Sequence, residues 1–256
     1  MIIKKTKNEI DLMRVAGEIV ALVLKKIEEN ISPGITTIEL DRIAEEAIRS
    51  KGAIPSFKGY KAAYFDIDDF PGSICASINN EVVHGIPGLR ELKDGDIISV
   101  DVGAYINGFH GDAARTFPVG NISSESQRLI EVTERSFFEG IKKAVVGNRI
   151  IDISGAIEDC VVGAGYSVVR EFVGHGIGRE MHEEPQVPNY RCRFQRARLE
   201  EGMTLAIEPM VNEGSHEVKV LDNGWTVVTL DKKLSAHYEN TIAITEEGPL
   251  ILTILD

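Results

Sequence analysis

Apolar residues recur at helical spacing through the first fifty positions. After Thr6-x-x-Glu9, which has the form of a capping box, Ile10, Met13, Val20, Val23, Leu24 and Ile27 share one face. This pattern predicts a helix to about Glu29, ended by Pro33-Gly34. Thr36-x-x-Glu39 opens a second helix with Ile43, Ala44 and Ala47 inward, and Gly52 closes it. The stretch Ser56 to Gly72 is irregular and carries Phe57, Tyr60, Tyr64, Phe65 and Phe70. The period then shortens to two. Ser73 to Ile78 reads as a strand, Val82 to Pro87 as a loop leaving another, and Ser99 to Thr116 as a hairpin turning at Asn107-Gly108. From Ser124 the helical pattern returns. Ser124-x-x-Gln127 is read as the cap of a helix to about Val145, and Asp152 to about Val162 as the next, closed near Gly163 and Gly165.

The order of elements repeats. LKDGDIISVDVG (Leu92 to Gly103) aligns with LEEGMTLAIEPM (Leu199 to Met210), so Leu92 matches Leu199, Gly95 matches Gly202 and Asp101 falls on Glu208. Gly34 to Gly52 corresponds to Gly147 to Gly165 at a constant offset. Helix, helix, then antiparallel strands, twice, gives an α+β fold with helices packed on one side of a curved sheet. The chain is read as one domain of two related halves, about 1–120 and 121–256, with the functional centre between them.

The repeat also carries chemistry. The hairpin turn brings Asp101 and Asp112 within a rung or two of each other, and two such carboxylates repel unless protons or cations lie between them. The second copy adds Glu208 and, on SAHYENTIAIT, Glu239 in the place of Asp112. Between the copies, VGHGIGREMHEEP holds His175 and His182 among Gly174, Gly176 and Gly178, which disfavour a helix and permit close backbone approach. His84-Gly85-Ile86 adds a third histidine. One imidazole with four carboxylates is a hard-oxygen site suited to Mn, Fe, Co or Zn. Five ligands, two able to bridge, can hold two divalent ions about 3.5–4 Å apart and acidify a water between them, which points to hydrolysis.

Charge and cysteine usage narrow the classes. A net charge of −12 over 256 residues argues against a direct nucleic-acid function, and gathered acids contribute to it. No apolar run is long enough to span a membrane, and MIIKKTKNEIDLMR lacks the apolar core of a secretory signal. Cys75, Cys160 and Cys192 are odd in number and widely spaced, which fits a reducing cytoplasm rather than a disulfide framework. YRCRFQRARL, Tyr190 to Leu199, places four arginines in this acidic chain; it reads as a solvated edge strand or as a contact surface for an acidic partner.

The motifs NEVVHGIPG, ISVDVG, FHGDAART, VGHGIGREMHEEPQVPNY, MTLAIEPM, DNGWTVVT and SAHYENT together resemble those of type I methionine aminopeptidases, in peptidase family M24. The resemblance covers nearly the whole chain. It implies the pita-bread fold of two pseudo-symmetric halves. It also implies removal of the initiator Met from nascent polypeptides when the next residue is small. The ligands so implied are Asp101, Asp112, His175, Glu208 and Glu239, with Asp112 and Glu239 bridging, Asp101 on the second ion, and His175 and Glu208 on the first. Glu208 would double as general base for the bridging water, His182 would donate to the oxyanion, and His84 would contact the scissile nitrogen. The substrate's free amine would sit near the second ion. The Met pocket would include Tyr60, Tyr64, Cys75, Met181 and Trp225, while His110 and His237 are read as supporting residues. A cytoplasmic monomer with transient ribosome contact is implied. KAAYFDIDDFPGSI, longer than the usual loop, and Arg191 to Arg198 depart from the family pattern. The short interval from His175 to Glu208 argues against type II enzymes. A proline dipeptidase on this fold would carry a large preceding domain, whereas here the pattern starts at residue 6. An inactive pita-bread binding protein would usually have lost ligands.

Overall fold

The computed structural model describes residues 2–61 and 68–255. The first half begins with α1 (Lys7–Asn30) and α2 (Thr37–Ser50), followed by β1 (Ile54–Pro55), β2 (Ile74–Ile78), β3 (Glu81–Val83), β4 (Ile97–Ile106) and β5 (Phe109–Pro118). The second begins with α3 (Ser124–Ile141) and α4 (Ile150–Gly163). After them come β6 (Ser167–Val168), β7 (Gly174–Gly176), β8 (Glu183–Val187), β9 (Thr204–Ile207), β10 (Met210–Asn212) and β11 (Val218–Val220), then β12 (Val227–Thr229), β13 (Ser235–His237), β14 (Asn240–Thr245) and β15 (Gly248–Ile251). The expected α+β order, helix pair then antiparallel strands, is present twice.

Local chemistry sets the helix boundaries. In α1 the Thr6 hydroxyl accepts from Glu9 N–H while the Glu9 carboxylate accepts from Thr6 N–H, and Thr36 and Glu39 repeat this at α2. The cap of α3 is Ser123, one residue before the predicted Ser124; its hydroxyl accepts from Ser126 N–H at 3.0 Å. That helix stops at Ile141, short of Val145, because Lys143 and Ala144 bond back three residues, to Gly140 and Ile141, and tighten the end into turns. The fourth helix starts at Ile150, two residues before the predicted Asp152, which instead accepts the Arg149 N–H from the third helical position. Gly34 and Gly147 share φ near +95°, and Gly52 and Gly165 are both left-handed, so the repeat extends to backbone conformation.

β4 is the centre of the first sheet, paired antiparallel with β1, β2 and β5. Asn107 and Gly108, both at positive φ, make the tight turn between β4 and β5. In the second half β9 is the counterpart, in the order β15-β14-β9-β7-β8, while β10 and β13 continue the same hairpin in a separate sheet. Its register is unbroken: Ile207 pairs with Asn240 and Met210 with His237, so Glu208 faces Glu239 directly. In the first half Asp101 faces Ala114, and Asp112 faces Gly103. By register, then, Glu239 stands in the place of Ala114 rather than Asp112. Its N–H donates to the Ala114 carbonyl at 2.9 Å, and Thr241 holds the Asp112 backbone at both N–H and C=O. These bonds join the two hairpins where the acids lie.

Apolar burial follows the halves. One cluster gathers α1, α2, β2 and β4 (Val20, Leu40, Ile74, Val100), and another α3, α4, β9 and β14 (Leu129, Ile153, Leu205, Ile242). Met13, Phe109, Ile177, Met181 and Ala206 form a third, beside the hairpin seam. There α1 crosses β5 so closely that a Cβ on Gly111 would lie 2.8 Å from Gly17 N. The segment 190–199 is irregular and not the edge strand expected, with only an isolated bridge between Arg149 and Arg198. Among the described residues no helix is long and apolar enough to cross a membrane.

Candidate metal centre and substrate cleft

Asp101 lies in mid-β4, opposite Cys75 on one side and Ala114 on the other. The structure brings Asp101, Asp112, His175, Glu208 and Glu239 to the wall of one cavity. His175 Nε2 is 3.5 Å from Glu208 Oε1 and 3.9 Å from Asp112 Oδ2. Ligand-capable atoms of Asp112, His175 and Glu239 lie within 4.8 Å of one another, and all three residues are buried. His175 Nδ1 is 2.8 Å from the Gly176 carbonyl. A carbonyl can only accept, so the proton sits on Nδ1 and the Nε2 lone pair faces the acids. Backbone approach makes this possible: a Cβ on Gly176 would strike the Glu184 carbonyl at 2.3 Å.

The electrostatics demand a counter-charge. Burial pushes Asp101 up to about 7. Burial, then the neighbouring carboxylates, holds Asp112, Glu208 and Glu239 well above the ordinary range. Burial lowers His175 to about 3, so the imidazole is neutral. Asp101 Oδ1, Asp112 Oδ1 and Glu239 Oε1 are buried without a hydrogen-bond partner. Orphaned acceptors of one sign, converging with a neutral imidazole, fit divalent cations and are costly without them.

The other histidines separate by role. The His182 ring lies 4.3 Å from that of His175, and its Nδ1 is 2.7 Å from the Tyr60 hydroxyl. Its loop is fixed from behind. Glu183 Oε1 accepts from Arg179 N–H at 2.9 Å and Glu180 N–H at 3.3 Å, and Oε2 forms a buried ion pair with Lys5. His84 is held at φ +59°, uncommon for a non-glycine residue, edge-on to Phe172 and Trp225. His110 bonds Ser56 through Nδ1 at 2.9 Å and packs on Tyr105, off the cavity wall. His237, expected as a supporting residue, points an unpartnered Nε2 to 3.9 Å from Glu239 and 4.0 Å from Glu208.

The cavity is small, about 170 Å³, which is room for one side chain rather than an extended peptide. Tyr60, Cys75, Met181 and Trp225 line it as expected, while Tyr64 lies outside the described residues. Sequence reasoning missed Phe57, Phe70, Val83, Phe172, Val173 and Met210 as lining. Phe57 and Phe70 stood in the aromatic-rich irregular stretch, and Phe172-Val173 directly precede the glycine-histidine motif. These signals existed but were not specific. Trp225 is held edge-on to Phe70, with its Nε1–H donating to the Asp68 carbonyl at 2.9 Å.

Residues 11–246 match the model of a family described as "Metallopeptidase family M24". The chain is 60% identical to "Methionine aminopeptidase" of Clostridium perfringens over 255 residues, covering 100% of both chains. It is 56% identical to "Methionine aminopeptidase 1" of Bacillus subtilis, covering 99% of each. Among solved structures, that of methionine aminopeptidase from Thermotoga maritima superposes with a TM-score of 0.95 at 43% identity and full coverage of both chains. With the pita-bread architecture, the acid–imidazole cage and this full-length similarity in hand, the chain belongs to metallopeptidase family M24.

Proposed function

We propose that this chain is a metal-dependent aminopeptidase that removes the N-terminal Met of nascent polypeptides whose second residue is small. The observation that carries the reading is the junction of a four-carboxylate, one-imidazole cage with a one-side-chain apolar cavity. Full-length relatives bearing the name methionine aminopeptidase support it. Asp101, Asp112, His175, Glu208 and Glu239 would hold two divalent cations, Mn, Fe, Co or Zn. When bound, such ions polarise the scissile carbonyl and bring the ionisation of water near neutral pH.

The chain's own groups do the rest. Glu208 removes a proton from the attacking water and returns it to the leaving amine. His182, oriented by Tyr60, donates to the oxygen that gains charge. His84, fixed by its backbone and by two aromatic edges, contacts the nitrogen of the scissile bond. Met181, Cys75, Tyr60 and Trp225 receive the thioether side chain, for which polarisable and aromatic walls are well matched. The whole chain acts as one catalytic domain, in the cytoplasm, as a monomer meeting chains near the ribosome.

The test is hydrolysis of Met-Ala-Ser, Leu-Ala-Ser and Xaa-Pro dipeptides with added Mn²⁺, with products separated by mass. Free Met and Ala-Ser should appear fastest. Faster cleavage of Xaa-Pro dipeptides would assign a proline dipeptidase instead, and no cleavage of any substrate would leave a binding protein.

A further inference from the structure

Between β8 and β9 the chain passes through Tyr190 to Leu199 outside any strand, and its four arginines divide into two groups. Arg191 is committed to α4. It pairs with Glu158 at 3.2 Å and with Asp159, and lies over Gly155, where a Cβ would meet its Nε at 3.2 Å. Arg193, Arg196 and Arg198 are exposed, and Arg149 joins them from the start of α4. Arg149 Nη1 donates to the Arg196 carbonyl at 2.6 Å, Arg196 Nε to the Arg193 carbonyl at 2.9 Å, and Arg198 Nη1 to the Gly147 carbonyl at 3.1 Å. Bonds to carbonyls orient these guanidiniums without neutralising them. Among the described residues none of the four forms an ion pair with a carboxylate.

Acids around the segment have other partners: Glu158 and Asp159 hold Arg191, the Asp152 carboxylate accepts the Arg149 N–H, and Glu200 pairs with Lys4, with Arg198 adding a weaker attraction to it. At the centre of the segment Phe194 is 95% exposed. Phe194 stands exposed between Arg193 and Arg196 in sequence, and among the described residues neither guanidinium has a carboxylate partner, in a chain of net charge −12. Planar guanidinium forks match phosphate oxygens, and an exposed ring offers a stacking platform for a base. An acidic peptide would satisfy the arginines but leave the ring unused. A lipid surface would call for more than one apolar side chain.

We propose that Arg149, Arg193, Phe194, Arg196 and Arg198 form a docking surface for a single-stranded nucleic acid, with the guanidiniums on its phosphates and Phe194 stacked on a base. The locally unpaired charge overrides the acidic average that argued against nucleic acid. None of the five residues lines the substrate cavity, so the surface can be occupied while the cavity works.

Anisotropy titrations of labelled 12-nucleotide single-stranded RNA and DNA with the metal-loaded enzyme, between 50 and 200 mM KCl, test this. Binding should weaken with salt with a log–log slope near −3, at roughly 0.7 per phosphate contacted. Combined substitution Arg193→Gln, Arg196→Gln and Arg198→Gln should reduce affinity about tenfold or more and flatten the slope by about 2. Phe194→Ala should lower affinity about fivefold or more and leave the slope unchanged. Both variants should cleave Met-Ala-Ser at the wild-type rate. Tighter RNA than DNA binding would name RNA as the source, and equal binding the shared backbone. Absence of binding at 50 mM KCl, wild-type affinity in the triple variant, or equal competition by polyglutamate or phosphatidylserine vesicles would each overturn the proposal.

Discussion

Removing metal should leave a protein that loses stability as pH rises above about 7.5, and cation binding should reverse that trend. In the metal-free chain, burial raises the carboxyl groups of Asp101, Asp112, Glu208 and Glu239 above their unfolded values. The unfolded chain then binds fewer protons than the native one at pH values between the two, so raising the pH favours unfolding. For Asp101, native at about 7 against 3.8 when unfolded, the loss runs through that interval and is complete about a unit above pH 7. Buried neutral histidines oppose this at lower pH. His84 and His110 are lowered to about 4 and His175 and His237 to about 3, so each adds stability as pH rises from there to the unfolded value of 6.5. Between about pH 4 and 6.5 the two sets largely cancel.

The unfolded histidines finish releasing their protons only about a pH unit above 6.5, so up to about pH 7.5 they still oppose the carboxyls, and beyond it the raised carboxyls alone set the sign. Each carboxyl still protonated in the native state there costs about 1.4 kcal/mol per pH unit. Cations need these groups ionised, so their stabilisation grows over the same window. Urea unfolding at pH 7.5, 8.0 and 8.5, in EDTA and in Mn²⁺, reads this directly. Stability in EDTA should fall over that range, by about 1.4 kcal/mol for each native carboxyl that stays protonated across it, while it rises in Mn²⁺. Equal or increasing stability in EDTA, or a Mn²⁺ increment independent of pH, would refute the reasoning.

Two further outcomes follow from particular residues. If Glu208 is both proton carrier and ion ligand as proposed, Glu208→Gln should reduce turnover by at least about a hundredfold, yet raise the urea midpoint of the metal-free protein by removing one buried acid; wild-type turnover would release Glu208 from both roles. Lys5→Met should cost about 3–5 kcal/mol by stranding Glu183 in the interior, and Lys5→Met with Glu183→Met should recover most of it. The double variant should still turn over slowly, because Arg179 and Glu180 N–H lose the carboxylate that fixes the His182 loop. Paired urea melts and steady-state kinetics check both, and full activity in the double variant would show that the ion pair only contributes stability.

What was legible in the sequence was local or repeated. Asn107-Gly108 sets its own turn and so fixes the β4–β5 register that brings Asp101 and Asp112 near each other. Thr6-Glu9 and Thr36-Glu39 close reciprocal bonds within one turn, so those helix starts were readable. The α4 start was not, since Arg149 has no capping oxygen and Asp152 marks the third position. The second hairpin also differs from its alignment. Pro209, after Glu208, donates no ladder bond, and β9 and β10 separate around it, which hid that Glu239 matches Ala114. Contacts between distant segments left no local trace: Lys5 with Glu183, Tyr60 with His182, and Phe172 and Met210 in the cavity wall.

The most direct measurement is a Mn²⁺ titration of chelator-stripped protein, with free Met released from Met-Ala-Ser as the signal. If the five-residue cage holds the catalytic ions, the stripped protein is inactive and activity climbs to a plateau near two ions per chain. With Asp112→Asn, which removes one of the proposed ligands, the plateau should fall and the required Mn²⁺ should rise by at least about tenfold. Met release in excess EDTA, or none with any of Mn²⁺, Fe²⁺, Co²⁺ or Zn²⁺, would contradict a metal-dependent aminopeptidase at this site.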